Sequence, residues 1–189
     1  MKILMHTCCA PCSIMPLEKM LAAGHNITAY FYNPNIHPYK EYKQRKRTFI
    51  DYMAAQPVKV VIDNDYALED FLARVAHRVD TRCEVCYEMR LDHAAKFAAE
   101  KGFDAYTSTL LVSIYQNQDL IRKIGEECGK KYGIDFYYED FRPYFREGQA
   151  KARELGLYMQ GYCGCIYSEK DRYCKKKRKP QTEETTESK

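Results

Sequence analysis

The sequence of 189 residues contains no tryptophan and no apolar run near the roughly 20 residues that a membrane-spanning helix needs. Its N-terminus lacks the basic stretch, long apolar segment and small-residue cleavage pattern of a secretory signal. We therefore expect a cytoplasmic protein that does not enter a membrane. The length and the apolar share of 46% predict one domain, residues 1–174, built around one core. Residues 175–189 are charged and poor in apolar side chains, which predicts a disordered tail.

The chain has little excess charge of either sign. Its formal net charge is +4, and residues 175–189 contribute +3 of this through six Lys or Arg against three Glu. The remaining body is almost neutral, so net charge alone does not predict a nucleic-acid partner. One basic helix face, which suits either solvation or phosphate contact, comprises Lys40, Lys43, Arg45, Lys46 and Arg47.

Glycine is absent where a phosphate-binding loop would need it. A short apolar strand, Lys2 to Met5, leads into residues 6–12 and then into an amphipathic helix, Ser13 to Ala23. A phosphate loop at this place would need glycines, so that backbone N–H groups at the helix start could hold the phosphates. This chain has Cys-Cys-Ala-Pro-Cys there, so we expect no use of ATP. Three thiols beyond a strand and at a helix start instead favour a metal centre over a disulfide.

Strands and helices alternate along the rest of the chain. This order predicts an α/β domain with a mostly parallel, Rossmann-like sheet, helices on both faces and a C-terminal cysteine-rich segment. The further predicted strands are Asn26 to Tyr32, Val58 to Ile62, Ala105 to Val112 and Ile134 to Tyr138. The further predicted helices are Tyr39 to Ala55, Asp65 to His77, Arg82 to about Lys101, Gln118 to Lys131 and Phe145 to Leu155.

Nine cysteines without a secretory signal indicate a reducing compartment, where clustered thiols serve metal or redox chemistry. Cys83 and Cys86 form a C-x-x-C pair at a helix start, and Cys8 and Cys9 form a second pair. Four thiolates suit tetrahedral zinc or a four-iron cluster. Adjacent cysteines are unusual for structural zinc and favour iron–sulfur, while dithiol redox chemistry without metal stays an open alternative.

The remaining cysteines allow more than one interpretation. Cys12 could replace one of the four thiols, bind a second metal or simply be buried. Cys163-Gly164-Cys165 favours a redox pair, because a disulfide across one residue is strained and easily reduced. A metal half-site and two unrelated thiols are the alternatives. We expect Cys128 and Cys174 to be free thiols without a role.

Polar residues at the predicted strand ends are candidates for proton transfer and binding. Asp140 could deliver a proton and Arg142 could hold an oxyanion, although a local salt bridge between them fits the sequence equally well. His6 is a candidate hydrogen-bond partner beside Cys8, and His37 could contact a substrate.

Several long motifs follow one another over residues 3 to about 168. They read H-T-C-C-A-P-C, Y-F-Y-N-P-N-I-H-P, E-Y-K-Q-R, C-E-V-C-Y-E-M-R-L, T-S-T-L-L-V-S-I-Y-Q-N, D-F-R and Y-M-Q-G-Y-C-G-C-I-Y-S. In this combination the chain resembles the QueH family of epoxyqueuosine reductases. The resemblance implies an α/β domain similar to the nucleotide-binding HUP group. It also implies reduction of an epoxide to form queuosine at the wobble position of tRNA anticodons.

The same resemblance implies cofactors and site residues. It assigns a [4Fe-4S] cluster to Cys8, Cys9, Cys83 and Cys86, and a redox-active disulfide to Cys163 and Cys165. It also implies a second metal, which we expect to be iron, beside the cluster. Other members can have Asp where this chain has Cys12, so the ligands of that metal are open.

The implied partners are tRNA carrying epoxyqueuosine and an electron donor that the sequence does not identify. Phosphate contact would fall to the basic face at Arg45 to Arg47 and to the tail lysines, and base stacking to Tyr32, Tyr115 and Tyr162. Two rival interpretations are a zinc-stabilised RNA-binding module and an ATP-dependent tRNA thiolation enzyme of HUP type.

Overall fold

The computed structural model describes residues 1–174, so the predicted disorder of the tail lies outside the described residues. Five strands alternate with seven α-helices in that part of the chain. The strands are β1 Lys2–His6, β2 Asn26–Phe31, β3 Lys59–Ile62, β4 Ala105–Ser108 and β5 Asp135–Phe136. The helices are α1 Ala10–Ala22, α2 Tyr39–Met53, α3 Leu68–Val75, α4 Arg82–Glu100, α5 Gln118–Tyr132, α6 Phe145–Glu154 and α7 Ile166–Tyr173.

The strands form one parallel sheet with the order β3-β2-β1-β4-β5, which confirms the predicted α/β class. β1 is the central strand, and its residues from Ile3 to His6 are fully buried on both faces of the sheet. The strand order reverses between β1 and β4, where Met5 is in register with Thr107. The carboxyl ends of parallel strands at such a reversal form a crevice that open α/β sheets use for ligands.

Three predicted strands differ from the observed ones. β4 ends at Ser108, and residues Thr109–Val112 form a 3₁₀ turn because the Ser108 hydroxyl accepts a hydrogen bond from the Leu110 N–H at 3.2 Å. β3 has the apolar composition that is typical of a buried parallel strand, but it lies at the sheet edge, where Val60 is 38% exposed. β5 spans only two residues. The composition of an apolar run of three to five residues does not distinguish an edge strand from a central strand or from a buried turn.

The start and end of α5 agree with the sequence because local chemistry determines both. The Asn117 side chain accepts a hydrogen bond from the Leu120 N–H at 3.1 Å, and Gly133 adopts a φ of 70° at the C-cap. An N-terminal Asn cap and a C-terminal Gly in the left-handed region are common helix limits. In the described part of the chain, no helix is both long and apolar enough to span a bilayer.

Candidate functional site

The first three cysteines meet where β1 passes into α1. Helix α1 begins at Ala10, earlier than predicted, so Cys12 lies in its first turn and Cys9 is its N-cap residue. The Sγ atoms of Cys8, Cys9 and Cys12 all lie within 4.8 Å of one another, and those of Cys8 and Cys9 are 3.8 Å apart. Thr109, which follows β4, fixes the loop: its hydroxyl accepts from the Cys8 N–H at 3.1 Å and donates to the Cys8 Sγ at 3.3 Å.

We call these three thiols the thiol triad. Their sulfurs are so close that a negative charge on one of them disfavours a negative charge on the other two. Hydrogen bonds from the Cys12 and Cys9 thiols lower the pKa of Cys8 well below its usual value. Burial raises the pKa of Cys9, and donation to Cys8 raises that of Cys12, with burial adding to the rise. One thiolate is therefore stabilised by two thiols. Further deprotonation needs a cation among the sulfurs, and three soft ligands at this spacing fit a thiophilic metal.

Gln160 closes the triad from the far end of the chain. Its Nε2 donates to the Cys9 Sγ at 2.8 Å and lies 3.8 Å from the Cys12 Sγ. Its Oε1 is buried and has no hydrogen-bond partner among residues 1–174. A buried unpaired amide oxygen is costly, so the polar atom fits a site that is built for a further group. The sequence analysis missed Gln160, although it stands within the Y-M-Q-G-Y-C-G-C motif.

Cys83 and Cys86 lie at the start of α4 and are not part of the thiol triad. Instead, the Cys86 Sγ accepts a hydrogen bond from Nη2 of Arg90 at 3.1 Å, and Nε of Arg90 donates to the Cys86 carbonyl at 3.1 Å. Arg90 is fully buried, and its charge acts on Cys8 and Cys163 as well. Burial raises the pKa of Cys86 to about 12. No sequence pattern had indicated that Arg90 belongs to the site.

Cys163 and Cys165 are free thiols that point to different surroundings. Cys163 is exposed and accepts a hydrogen bond from the Gln116 amide at 3.5 Å. Cys165 is buried in a small apolar cluster that also contains Cys86, and its Sγ accepts from the Ser168 N–H at the start of α7. The redox pairing of Cys163 with Cys165 stays a prediction.

Arg45 is buried, unlike the solvated basic face in which the sequence analysis grouped it. Its Nη1 donates to the Cys163 carbonyl at 2.7 Å, its Nη2 to the Tyr162 carbonyl at 2.9 Å and its Nε to Glu41 at 2.7 Å. The planar guanidinium can hold two carbonyls and a carboxylate at once. Arg45 thus joins α2 to the Cys-Gly-Cys segment and is not available to an external phosphate.

The remaining predicted polar residues serve the fold. His6 is fully buried between the Ser108 hydroxyl at 2.8 Å from Nδ1 and the Tyr32 carbonyl at 2.9 Å from Nε2, and burial lowers its pKa to about 4. The proton therefore lies on Nε2, because a carbonyl can only accept. His37 is buried with its Nε2 at 3.1 Å from the Pro34 carbonyl. Neither imidazole hydrogen-bonds to a cysteine.

Asp140 lies in a local ion pair and does not line the cavity that contains Cys8 and Cys12. Arg142 donates to both carboxylate oxygens, with Nε at 2.8 Å from Oδ1 and Nη2 at 2.6 Å from Oδ2. These bonds lower the pKa of Asp140 and favour its ionised form. The structure does not bring Asp140 together with the cysteines.

A cavity of about 930 Å³ opens over the thiol triad. Cys8, Cys12, Arg90 and Cys163 line it, together with Gln160. Tyr115, Tyr162 and Phe145 also line it, as do residues of α6 and α7. The volume is large enough for a ligand of nucleoside size.

The fold and the site define an α/β protein with a thiolate centre at the carboxyl end of its central strand. The model of the family described as Epoxyqueuosine reductase QueH matches residues 3–171. The chain belongs to this family and is an oxidoreductase.

Several curated relatives are each named Epoxyqueuosine reductase QueH. The one from Dehalococcoides mccartyi is 34% identical over 175 residues, which is 92% of this chain and 96% of the relative. The one from Histophilus somni is 38% identical over 181 residues, or 90% and 73% of the two chains. The one from Thermotoga maritima is 33% identical over 176 residues, or 88% and 89%.

Proposed function

We propose that this cytoplasmic protein reduces the epoxide of epoxyqueuosine at the wobble position of tRNA, which gives queuosine. The name of the family and its relatives supports the substrate. The observation that carries the proposal is a cavity of about 930 Å³ lined by Cys8 and Cys12 of the thiol triad, by the buried Arg90 and by the exposed Cys163. Such a site offers reducing equivalents next to a fixed positive charge.

We infer that the thiols hold an iron–sulfur centre. Cys8 and Cys9 fit as ligands because they are adjacent and close enough to share one metal group, with Cys9 buried and Cys8 partly buried. The resemblance adds Cys83 and Cys86 to a [4Fe-4S] cluster, whereas the geometry of the residues groups Cys12 with the first pair. We therefore assign Cys12 to a second metal, iron, or to the cluster itself. When bound, such a centre supplies single electrons at a potential set by nearby hydrogen bonds and burial.

The reaction needs two electrons and two protons. Both C–O bonds of the epoxide break, a C=C bond forms, and the oxygen leaves as water. A dithiol supplies this balance, since two thiols that become a disulfide release two electrons and two protons. We propose that Cys163 and Cys165 play this role and that an external electron donor reduces them again. Cys163 lines the cavity, which favours it as the thiol nearer the substrate.

The two thiols can release both protons, and a separate side chain could deliver one of them to the departing oxygen. We keep Asp140 as a candidate, although its ion pair with Arg142 favours the ionised form and opposes donation at neutral pH. The Arg90 guanidinium stays protonated, so we do not assign it as a proton donor. Its guanidinium in the cavity wall can stabilise the negative charge that develops on the epoxide oxygen.

The metal assignment is tested on anaerobically purified protein by iron, sulfide and zinc content together with the visible spectrum. We expect about four irons and four sulfides per chain, with more iron if Cys12 holds a second metal. Cys8→Ser and Cys9→Ser should lose the chromophore, and Cys174→Ser, an exposed thiol, is the matched control. Stoichiometric zinc without colour would reject the reductase mechanism and support the zinc-stabilised RNA-binding module instead.

The proposed redox role of Cys163 and Cys165 is tested by single turnover of epoxyqueuosine-containing tRNA with a chemical one-electron donor. Cys163→Ser and Cys165→Ser should slow queuosine formation at least tenfold while the iron content stays at the wild-type level. After a turnover without donor, mass spectrometry should find the 163–165 disulfide in the wild type. Wild-type rates in both serine variants would show that Cys163 and Cys165 do not supply the electrons. They would not contradict the reductase assignment.

A further inference from the structure

The arginines of the described chain divide into two groups by their partners. Residues 1–174 contain eleven arginines. Seven of them form an ion pair with an Asp or Glu side chain, and these are Arg45, Arg47, Arg74, Arg78, Arg82, Arg122 and Arg142. Pairing with a carboxylate is therefore the common state of an arginine in this protein.

The other four arginines all line the cavity above the thiol triad: Arg90, Arg146, Arg153 and Arg172. Arg90 lies buried beside Cys86. The other three are exposed and form no ion pair or side-chain hydrogen bond with residues 1–174. We call Arg146, Arg153 and Arg172 the arginine rim. A body that is nearly neutral as a whole thus gathers its uncompensated guanidinium groups at one opening.

Two helices arrange this rim. Arg146 and Arg153 are seven residues apart on α6, so they lie on the same face of that helix, with Gln149 between them. Arg172 comes from the last turn of α7. One carboxylate, Asp171, lines the cavity, and it is paired with Arg82. The opening therefore has a net positive charge that attracts an anion with several charges.

An exposed aromatic side chain stands at the same opening. Tyr115 is 80% exposed and contacts Phe145 edge to face, with ring centroids 5.8 Å apart and an interplanar angle of 87°. Because the side chain is 80% exposed, at least one face of the Tyr115 ring is open for stacking. A protein that binds single-stranded nucleic acid combines free basic groups along the backbone path with aromatic rings that stack on bases.

We propose that the arginine rim binds phosphates of a single-stranded RNA segment and that Tyr115 stacks on one of its bases. This inference rests on the proposed function and gives the surface through which the tRNA loop reaches the cavity. It places phosphate contact on α6 and α7 and not at Arg45 to Arg47, because Arg45 is buried and Arg47 is paired with Asp51. The wobble base would enter past Tyr115 towards Arg90.

The test measures binding of the full-length protein to a fluorescent anticodon stem-loop RNA by anisotropy across a salt series. The rim variant changes Arg146, Arg153 and Arg172 to Gln. The matched control changes Arg47, Arg78 and Arg122 to Gln, which removes the same charge from exposed, paired arginines. We expect the rim variant to reduce the slope of log K against log salt by about 2, because three phosphate contacts contribute about 0.7 each.

Tyr115→Leu tests the stacking. We expect affinity for the stem-loop to fall about 5- to 100-fold, since loss of one base–aromatic stack has effects of that size. Binding of the matching RNA duplex, whose bases are already stacked, should change less than twofold. Equal loss for loop and duplex would overturn the stacking contact.

The outcomes separate this inference from the proposed function. If the salt slope of the rim variant is unchanged, or if the control variant shows an equal drop, the arginine rim does not bind the RNA. Turnover of tRNA by the wild type would still support the reductase assignment in that case. Rim-dependent RNA binding by a protein that never reduces epoxyqueuosine overturns the proposed function and leaves the RNA surface intact. All variants are compared with the wild type by thermal unfolding, so that loss of fold is recognised separately.

Discussion

Arg90 hydrogen-bonds to a cysteine, whereas most arginines of the described chain form an ion pair with a carboxylate. Its Nη2 hydrogen-bonds to the Cys86 Sγ, and its side chain is completely buried. A buried charge that loses its partner costs more than the partnership itself contributes. Cys86 therefore stabilises the fold as the partner of the buried Arg90, in addition to any role in metal binding.

Cys86→Ala should therefore destabilise the metal-free protein more than Cys128→Ala. Cys86 is 8% exposed and Cys128 is 7% exposed, so the two changes remove similar buried volume. Loss of the acceptor for the Arg90 guanidinium should add about 1–3 kcal/mol to the cost at Cys86. Urea unfolding of both variants under reducing conditions gives the difference. Equal costs would show that Arg90 finds another acceptor.

His37 should make the stability depend on pH. Burial lowers the pKa of this imidazole, so as the pH falls below about 6.5 the unfolded chain takes up a proton before the folded chain does. Stability should therefore fall between pH 6.5 and the folded-state pKa, by at most about 1.4 kcal/mol per pH unit. His37→Gln should make this dependence less steep without removing it, because burial also lowers the pKa of His6, and His77→Gln, at an exposed position, is the matched control. Parallel pH curves for the wild type and His37→Gln would contradict the effect.

Single residues differ in how far the sequence reveals them. The thiol triad could be predicted because its members lie within five positions between a strand and a helix. Arg90, Arg45 and Gln160 could not, because arginine and glutamine usually lie at the surface, and only the tertiary fold buries the two arginines and brings Gln160 to the thiols. Their partners are also distant in sequence, as Gln160 lies 151 positions from Cys9.

At the scale of elements, the Cys-Gly-Cys segment depends on neighbours from the first third of the chain. The His37 N–H donates to the Gly164 carbonyl at 2.9 Å, and Arg45 holds the carbonyls of Tyr162 and Cys163. A Cβ atom on Gly164 would lie 2.9 Å from the Asn35 amide nitrogen, which is too close. The close packing of the Asn35, Ile36 and Arg45 side chains against this position thus favours glycine between the two cysteines.

Arg45→Lys should loosen this segment. A lysine ammonium cannot hold two carbonyls and a carboxylate in the planar arrangement of the guanidinium. We expect alkylation of the buried Cys165 to become several-fold faster in metal-free protein, while alkylation of the exposed Cys174 stays the same. Arg47→Lys, on the same helix but exposed, is the control. Unchanged Cys165 labelling would mean that the other contacts suffice.

Elements with local signals were predictable and elements set by tertiary context were not. α5 has an Asn cap and a terminal Gly, and its observed limits agree with the prediction to within one residue. Thr109–Val112 has the composition of a strand, but the Ser108 hydroxyl begins a turn there. α7 was not predicted, because its residues are polar and its start depends on the packing of Cys165.

At the scale of the whole molecule, the site joins both ends of the described chain. The thiol triad follows β1, whereas Gln160 and Cys163 precede α7. The α/β class was predictable from the alternation of elements, but the strand order was not, because local patterns do not state which strands are neighbours. The position of β1 between β2 and β4 is what brings Thr109 to Cys8.

A metal that binds these thiols only in the folded state should stabilise the whole domain. By mass action the gain is about 2.7 kcal/mol when free metal exceeds its dissociation constant 100-fold. We expect anaerobic chelation to lower the midpoint of thermal unfolding by several degrees. In Cys8→Ser the chelator should have no effect, which separates loss of the metal from damage by the chelator. An unchanged midpoint in the wild type would show that the fold does not depend on the metal.

The distance along the chain between the thiol triad and Gln160 also has a consequence in time. During synthesis Cys8, Cys9 and Cys12 leave the ribosome well before the segment around Gln160, which lies 151 positions from Cys9. The five strands end at Phe136, so the sheet can form before that segment is complete. In this interval the sulfurs are accessible to a metal ion and equally accessible to oxidants. Exposure of the thiols and their enclosure are therefore separate events, and the order of translation sets which one comes first.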